Sequence, residues 1–243
     1  MSATTFISDA ILFDMDGTLV DSTAGVVGAW ELFRQTYPGI DVENILSCKS
    51  YSLSASHGVR TVDNLRNHCG IQGPEELERE AERFEQAIVS TSTENGRQGI
   101  ILLPGVAAAL EELASARHLP NPSWAICTSA TRAYASSALR IAGVPVPDVF
   151  VAAEDVTQGK PFPDPYLLGA KLCGVKPENC VVFEDAPSGV RSGRAAGCKT
   201  IALLTTHTRE QLEAVKPDFI IKDLSSITFK RLEKGVEVTI RQD

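Results

Sequence analysis

A handful of short apolar runs decide what this chain can fold into. Residues 10–13, 124–127, 180–183, 200–204 and 219–221 are each only a few residues long and show no polar alternation. A sixth run, 149–152, reads the same way. Strands that are covered on both faces look like this, and a parallel sheet flanked by helices is what covers both faces. Helix-like stretches lie between the runs. The stretch 106–116 follows Pro104 and Gly105 and places Val106, Leu110 and Leu113 on one face. Stretches 132–142, 165–173 and 188–196 stop at Gly143, Gly174 and Gly197, the residue type that ends a helix most readily. Strand and helix in regular alternation predict an α/β fold with a parallel sheet.

Residues 20–95 follow a different pattern. They contain no long apolar run, and 23–37 has helical apolar spacing through Val26, Val27, Trp30 and Phe33. Residues 62–69 and the Glu-rich 74–90 also read as helices. The expectation is a core built from residues 1–19 and 96–243, with an all-helical insertion, 20–95, after the first strand. Trp30, Phe33 and Tyr37 at helical spacing are read as the packed interior of that insertion, not as a stacking platform for a ligand. Gly25 and Gly28 fit packing or hinge roles as well as close approach of a substrate. The tail alternates through Val236, Val238 and Ile240, which suits an edge strand or a frayed end.

Composition narrows the function. Of 243 residues, 43% are hydrophobic, enough for a full core. Lys plus Arg number 23 against 31 for Asp plus Glu, a net charge of −8, so nothing draws the chain as a whole to nucleic acid or anionic lipid. No apolar run approaches the ~20 residues of a membrane span. The first residues have no basic stretch leading into an apolar one, so a cytoplasmic protein is expected. The six cysteines form no C-x-x-C pair. They read as reduced, mostly buried thiols, not as a zinc site.

Ligands in open α/β sheets bind at the carboxyl ends of the strands. After residues 10–13 come Asp14 and Asp16, after 124–127 come Thr128 and Ser129, and after 180–183 come Glu184 and Asp185. Crowded carboxylates repel unless a cation offsets them, and hard oxygen ligands suit Mg²⁺. Any one of these acids alone would read as a helix cap or a loop residue; all of them at strand ends do not. Lys160 lies in a loop stiffened by Pro161, Pro163 and Pro165. Such a loop can hold a point charge beside a phosphate and a carboxylate, although a lone Lys is ordinarily solvated.

Four motifs together resemble the haloacid dehalogenase superfamily, in order along essentially the whole chain. They are Asp14-Met15-Asp16-Gly17-Thr18, Thr128-Ser129-Ala130, Gly159-Lys160-Pro161, and Glu184-Asp185 followed by Ala186-Pro187-Ser188-Gly189. The insertion resembles the small helical cap of the sugar-phosphatase and β-phosphoglucomutase branch. The stretch from Ser56 to Asp63, together with that from Cys127 to Arg132, is similar to those of fungal glycerol-phosphate and 2-deoxyglucose-6-phosphate phosphatases. The resemblance implies a phosphoric monoester hydrolase acting on a small sugar or polyol phosphate through an aspartyl-phosphate. Asp14 would be the nucleophile and Asp16 the acid and base. Mg²⁺ would be held by Asp14, Asp16, Asp185 and Glu184. Thr128, Ser129, Ala130 and Lys160 would bind the phosphoryl group, with His57 and Arg60 touching the rest of the substrate. A phosphosugar mutase is the alternative, and a non-enzymatic interaction protein ranks last because none of the motif residues is lost. A monomer is expected, with no nucleic acid or membrane partner.

Overall fold

The structure is a computed structural model and describes residues 3–46, 58–114 and 123–241. The chain opens with β1 (Ala3–Ser8), β2 (Ala10–Phe13) and the two-residue β3 (Val20–Asp21). Four helices follow: α1 (Thr23–Thr36), α2 (Val42–Leu46), α3 (Thr61–Cys69) and α4 (Pro74–Thr91). Strand β4 (Ile101–Leu102) pairs with β3, so the chain leaves and re-enters the core through one short antiparallel ribbon. Then come α5 (Val106–Ala114), β5 (Trp124–Cys127), α6 (Arg132–Ala142) and β6 (Val149–Val151). These are followed by α7 (Asp164–Leu172), β7 (Cys180–Glu184), α8 (Pro187–Ala195) and β8 (Lys199–Leu203). The chain closes with α9 (Arg209–Glu213), β9 (Phe219–Ile221), β10 (Ile227–Arg231) and β11 (Val236–Arg241).

All six apolar runs pair in one parallel sheet, ordered β6-β5-β2-β7-β8-β9. Strands β2, β5 and β7 are buried along their whole length, which explains their lack of alternation. Gly143, Gly174 and Gly197 each take a positive φ just past a helix, as the C-terminal stops require.

Two features depart from expectation. The alternating tail is not an edge: β11 is the middle strand of a second, antiparallel sheet, β1-β11-β10. Its Val236, Val238 and Ile240 are fully buried because their face packs into the main core. The run read as the first strand, residues 10–13, is β2: β1 precedes it in the chain and belongs to that second sheet.

Within the insertion, Trp30 and Phe33 of α1 meet Phe84 of α4 edge-on, with ring centroids 4.6 and 4.9 Å away, and Tyr37 stacks on Phe33. The three aromatics are thus packed interior, as read, and Trp30 also reaches the cavity described below. Gly25 and Gly28 let α1 and α4 approach. A Cβ on Gly25 would overlap the Ile88 carbonyl, and one on Gly28 would overlap the Thr91 side chain. The Thr91 hydroxyl donates to the Gly25 carbonyl across this contact (3.2 Å).

Gly25→Ala and Gly28→Ala should therefore each destabilise the protein. Alanine gains about 1 kcal/mol of helix propensity, but overpacking a tight contact costs about 1–3 kcal/mol. A lower urea midpoint is the expected result. An unchanged or raised midpoint would show that the two helices can part without loss.

Candidate active site

The parallel pairing of β2 with β5 and β7 carries three strand ends to one edge. Asp14 continues the ladder by donating its N–H to the Phe183 carbonyl (3.0 Å), and Thr128 does so to Val151 (2.9 Å). Beyond Asp14 the chain turns tightly: the N–H groups of Leu19 and Val20 both donate to the Met15 carbonyl. Gly17 sits in this turn with φ +82°, and a Cβ there would run into the Asp185 carboxylate. Both the backbone conformation and the space require glycine.

Lys160 occupies the centre. Its Nζ lies 2.5 Å from Asp14 Oδ1 and 2.7 Å from Glu184 Oε1, and its side chain is wholly buried. Tyr166, from α7, donates its hydroxyl to the same Glu184 oxygen (2.6 Å). Ser192 of α8 donates to the Phe162 carbonyl (2.6 Å), which pins the lysine's loop from below. Asp185 accepts from the Thr18 hydroxyl (3.4 Å) and from that of Thr206. Asp16 accepts from Ser22 (2.6 Å) and Tyr134 (2.8 Å).

The charge does not balance. Asp14, Glu184 and Asp185 are all buried, and each offers an oxygen within 4.8 Å of the others. Lys160 is the one cation among them. Burial pushes Asp14 up to about 7, with Lys160 pulling against it and Glu184 adding to it. Burial and then the Asp14 charge push Asp185 up to about 7 as well. Burial acts to lower Lys160, but Asp14 and Glu184 outweigh it and the ammonium is held charged. A surplus of buried hard oxygen donors beside a single lysine fits a divalent cation.

Thr128, Ser129 and Ala130 line a cavity of about 100 Å³ that also takes in Asp14, Asp16, Glu85 and Tyr134; Lys160 is not in its wall but reaches it through Asp14. In it, the Ser129 hydroxyl donates to the Gly58 carbonyl of the insertion (2.9 Å). The Thr128 hydroxyl accepts from the Ala130 N–H (3.1 Å), and the Ala130 carbonyl accepts from Ala153 (2.9 Å).

The structure does not bring the Arg60 side chain to this cavity. Its guanidinium donates to three core carbonyls, Ala153 (3.1 Å), Val156 (2.5 Å) and Thr157 (3.1 Å). Arg60 thus ties the insertion to the loop before Lys160. His57, like Cys48 and Lys49, lies outside the described residues. Among residues the sequence reading did not single out, Ser22, Glu85, Tyr134 and Tyr166 all touch the site. Each is a polar side chain in or beside a helix; Ser22 lies close in sequence to its partner Asp16, whereas the partners of Glu85, Tyr134 and Tyr166 at the site are far away along the chain.

The family model for haloacid dehalogenase-like hydrolases matches residues 8–197. Hexitol phosphatase A of Escherichia coli (strain K12) is 41% identical over 92% of this chain and 95% of its own length. Glycerol-1-phosphate phosphohydrolase 1 of Saccharomyces cerevisiae is 33% identical over 90% of this chain and 84% of its own. The crystal structure of β-phosphoglucomutase from Clostridium difficile superposes with a TM-score of 0.70. It covers 90% of this chain and 92% of that one at 22% identity, a likeness of fold alone.

The raised values of Asp14 and Asp185 set a pH dependence. Each carboxyl keeps its proton in the folded protein to a higher pH than in the unfolded chain. The stability this gives the metal-free protein is complete in the acid range and is lost as pH rises through about 7. A divalent cation must displace those protons. Its gain in thermal midpoint should be larger at about pH 8 than at about pH 5.5, as read by calorimetry. Equal gains at both pH values would count against these two carboxylates as its ligands.

Proposed function

The chain belongs to the haloacid dehalogenase-like hydrolases, and on that footing we propose that it hydrolyses phosphate monoesters of small sugars or polyols. The observation that carries this reading is Lys160 set between Asp14 and Glu184, with Asp16 two residues on and facing the same cavity. The names of the hexitol and glycerol-1-phosphate enzymes, similar over nearly all of this chain, support the substrate class. The glucomutase likeness carries no reaction.

Asp14 attacks the phosphorus and forms an aspartyl-phosphate as the bond to the ester oxygen breaks. Asp16, protonated, gives its proton to the departing alkoxide. Its carboxylate then takes a proton from water, whose oxygen attacks the phosphorus and frees Asp14 and inorganic phosphate. Lys160 holds Asp14 in place and offsets the charge that collects on the phosphoryl oxygens. Thr128, Ser129 and the backbone of Ala130 form the phosphate pocket. Mg²⁺, held by Asp14, Asp185 and the Asp16 carbonyl with Glu184 beside them, would offset charge on the phosphoryl group.

Residues 20–95 act as a cap over a core of 1–19 and 96–243, shutting out water while the ester reacts. Arg60 serves this closure through its carbonyl contacts with the core and does not grip the substrate.

The test is phosphate release from hexitol phosphates, glycerol 1-phosphate and 2-deoxyglucose 6-phosphate, with Mg²⁺ and with EDTA. Release should need the metal and should fall by about 10³-fold or more in Asp14→Asn. Release that survives this substitution would sink the mechanism. No release from any of these esters would sink the substrate class.

A further inference from the structure

Asp16 is gripped by one of its two carboxyl oxygens. The Ser22 hydroxyl donates to Oδ1 at 2.6 Å, and the Tyr134 hydroxyl donates to that same atom at 2.8 Å. A phenol has one proton to give, and Tyr134 gives it here. An oxygen that already accepts two hydrogen bonds has no room for a proton of its own, so a proton carried by Asp16 belongs on Oδ2.

We propose that Tyr134 is a positioning residue for the proton-transfer step. It fixes which oxygen of Asp16 bears the proton and holds that oxygen toward the leaving group. The inference rests on the reading of Asp16 as the acid that protonates the departing alkoxide. In that step the Oδ2–H bond of Asp16 breaks as the ester oxygen takes the proton, and Tyr134 keeps its own proton throughout.

The surroundings of Tyr134 suit the task. The residue is buried and its side chain forms part of the cavity wall beside Ser129 and Asp16. It stands in the first turn of α6, and its N–H donates to the hydroxyl of Thr131, the residue that caps that helix (3.3 Å). Thr131 is in turn held from the insertion: its N–H donates to Glu85 Oε1 (3.2 Å), and its hydroxyl donates to Glu85 Oε2. The phenol is thus anchored from the core and from the helices that cover the cavity. A side chain free to swing would not hold one carboxyl oxygen in preference to the other.

The test separates help to the leaving group from general damage. An alkoxide needs a proton to depart, whereas p-nitrophenolate leaves without one. The ratio kcat/KM reports the steps up to release of the alcohol, so it is measured for glycerol 1-phosphate or a hexitol phosphate and for p-nitrophenyl phosphate. Tyr134→Phe should lower kcat/KM for the alkyl ester by about tenfold, the reach of one hydrogen bond. The aryl ester should lose much less, a split that a general loss of stability does not produce. Ser22→Ala removes the other donor from the same oxygen and should show the same split.

Equal losses on both esters in both variants would overturn the inference, and so would no loss on either. Wild-type enzyme that cleaves the aryl ester but no alkyl ester would overturn the proposed substrate class and the inference with it. That result is seen before any variant is made.

Discussion

Everything at the strand ends depends on one buried ion pair. Parallel strands lie about 4.8 Å apart, and β2 pairs with β7 so that Phe13 faces Phe183. The residues that follow, Asp14 and Glu184, are therefore forced side by side out of water. Two bare carboxylates could not both stay charged there. Lys160, from the loop before α7, enters between them and contacts both. Taking a buried charge's partner away typically costs about 3–5 kcal/mol, and loss of Lys160 would leave both carboxylates buried without it. The stiff loop, its tie to Ser192 and the Tyr166 hydroxyl on Glu184 are what keep the lysine in place.

The pair still leaves charge over. Glu184 is taken up by Lys160 and Tyr166, while Asp185 accepts from the neutral hydroxyls of Thr18 and Thr206. Neutral donors ease a carboxylate but do not cancel it; burial raises Asp185 to about 7, and raises Asp14 to about 7 against the pull of Lys160. The excess lies at the carboxyl ends of β2 and β7, and Asp14 also lines the cavity. The fold thus keeps the back of the site neutral with its own lysine and leaves the front to what binds.

Much of this was legible in the sequence for a simple reason. Strands buried on both faces must be apolar throughout, so each ends where its first polar residue stands. Asp14, Thr128 and Glu184 are those residues, and their convergence follows from the parallel sheet. The second sheet was harder to read. Strand β1 is largely exposed on one face and rich in Thr, and its partner β11 lies at the far end of the chain, so no local period marks the pairing. Arg60 misled for a different reason. Its partners are backbone carbonyls, which every residue carries, so no sequence pattern marks Ala153, Val156 and Thr157 as its acceptors. Tyr134 was missed because the residue it serves lies more than a hundred positions away.

The contacts that hold the helical insertion over the cavity are of a particular kind. Inside the insertion, α1 and α4 are joined by packed aromatic rings and by close approach at glycines. Across to the core, the ties named here are hydrogen bonds: Ser129 to Gly58, Arg60 to three carbonyls, and Thr131 to Glu85. Water can replace a hydrogen bond at small net cost, but it cannot replace packed apolar surface. The buried apolar residues of the insertion and of the core also form one continuous cluster, so the two are packed together as well as hydrogen-bonded. Ser129 makes the link to chemistry direct. Its one hydroxyl proton now goes to Gly58 and cannot also go to a phosphoryl oxygen. In the reaction proposed here, phosphate binding takes that proton, which leaves the hydrogen bonds of Arg60 and Glu85 and the shared apolar packing to hold the insertion in place.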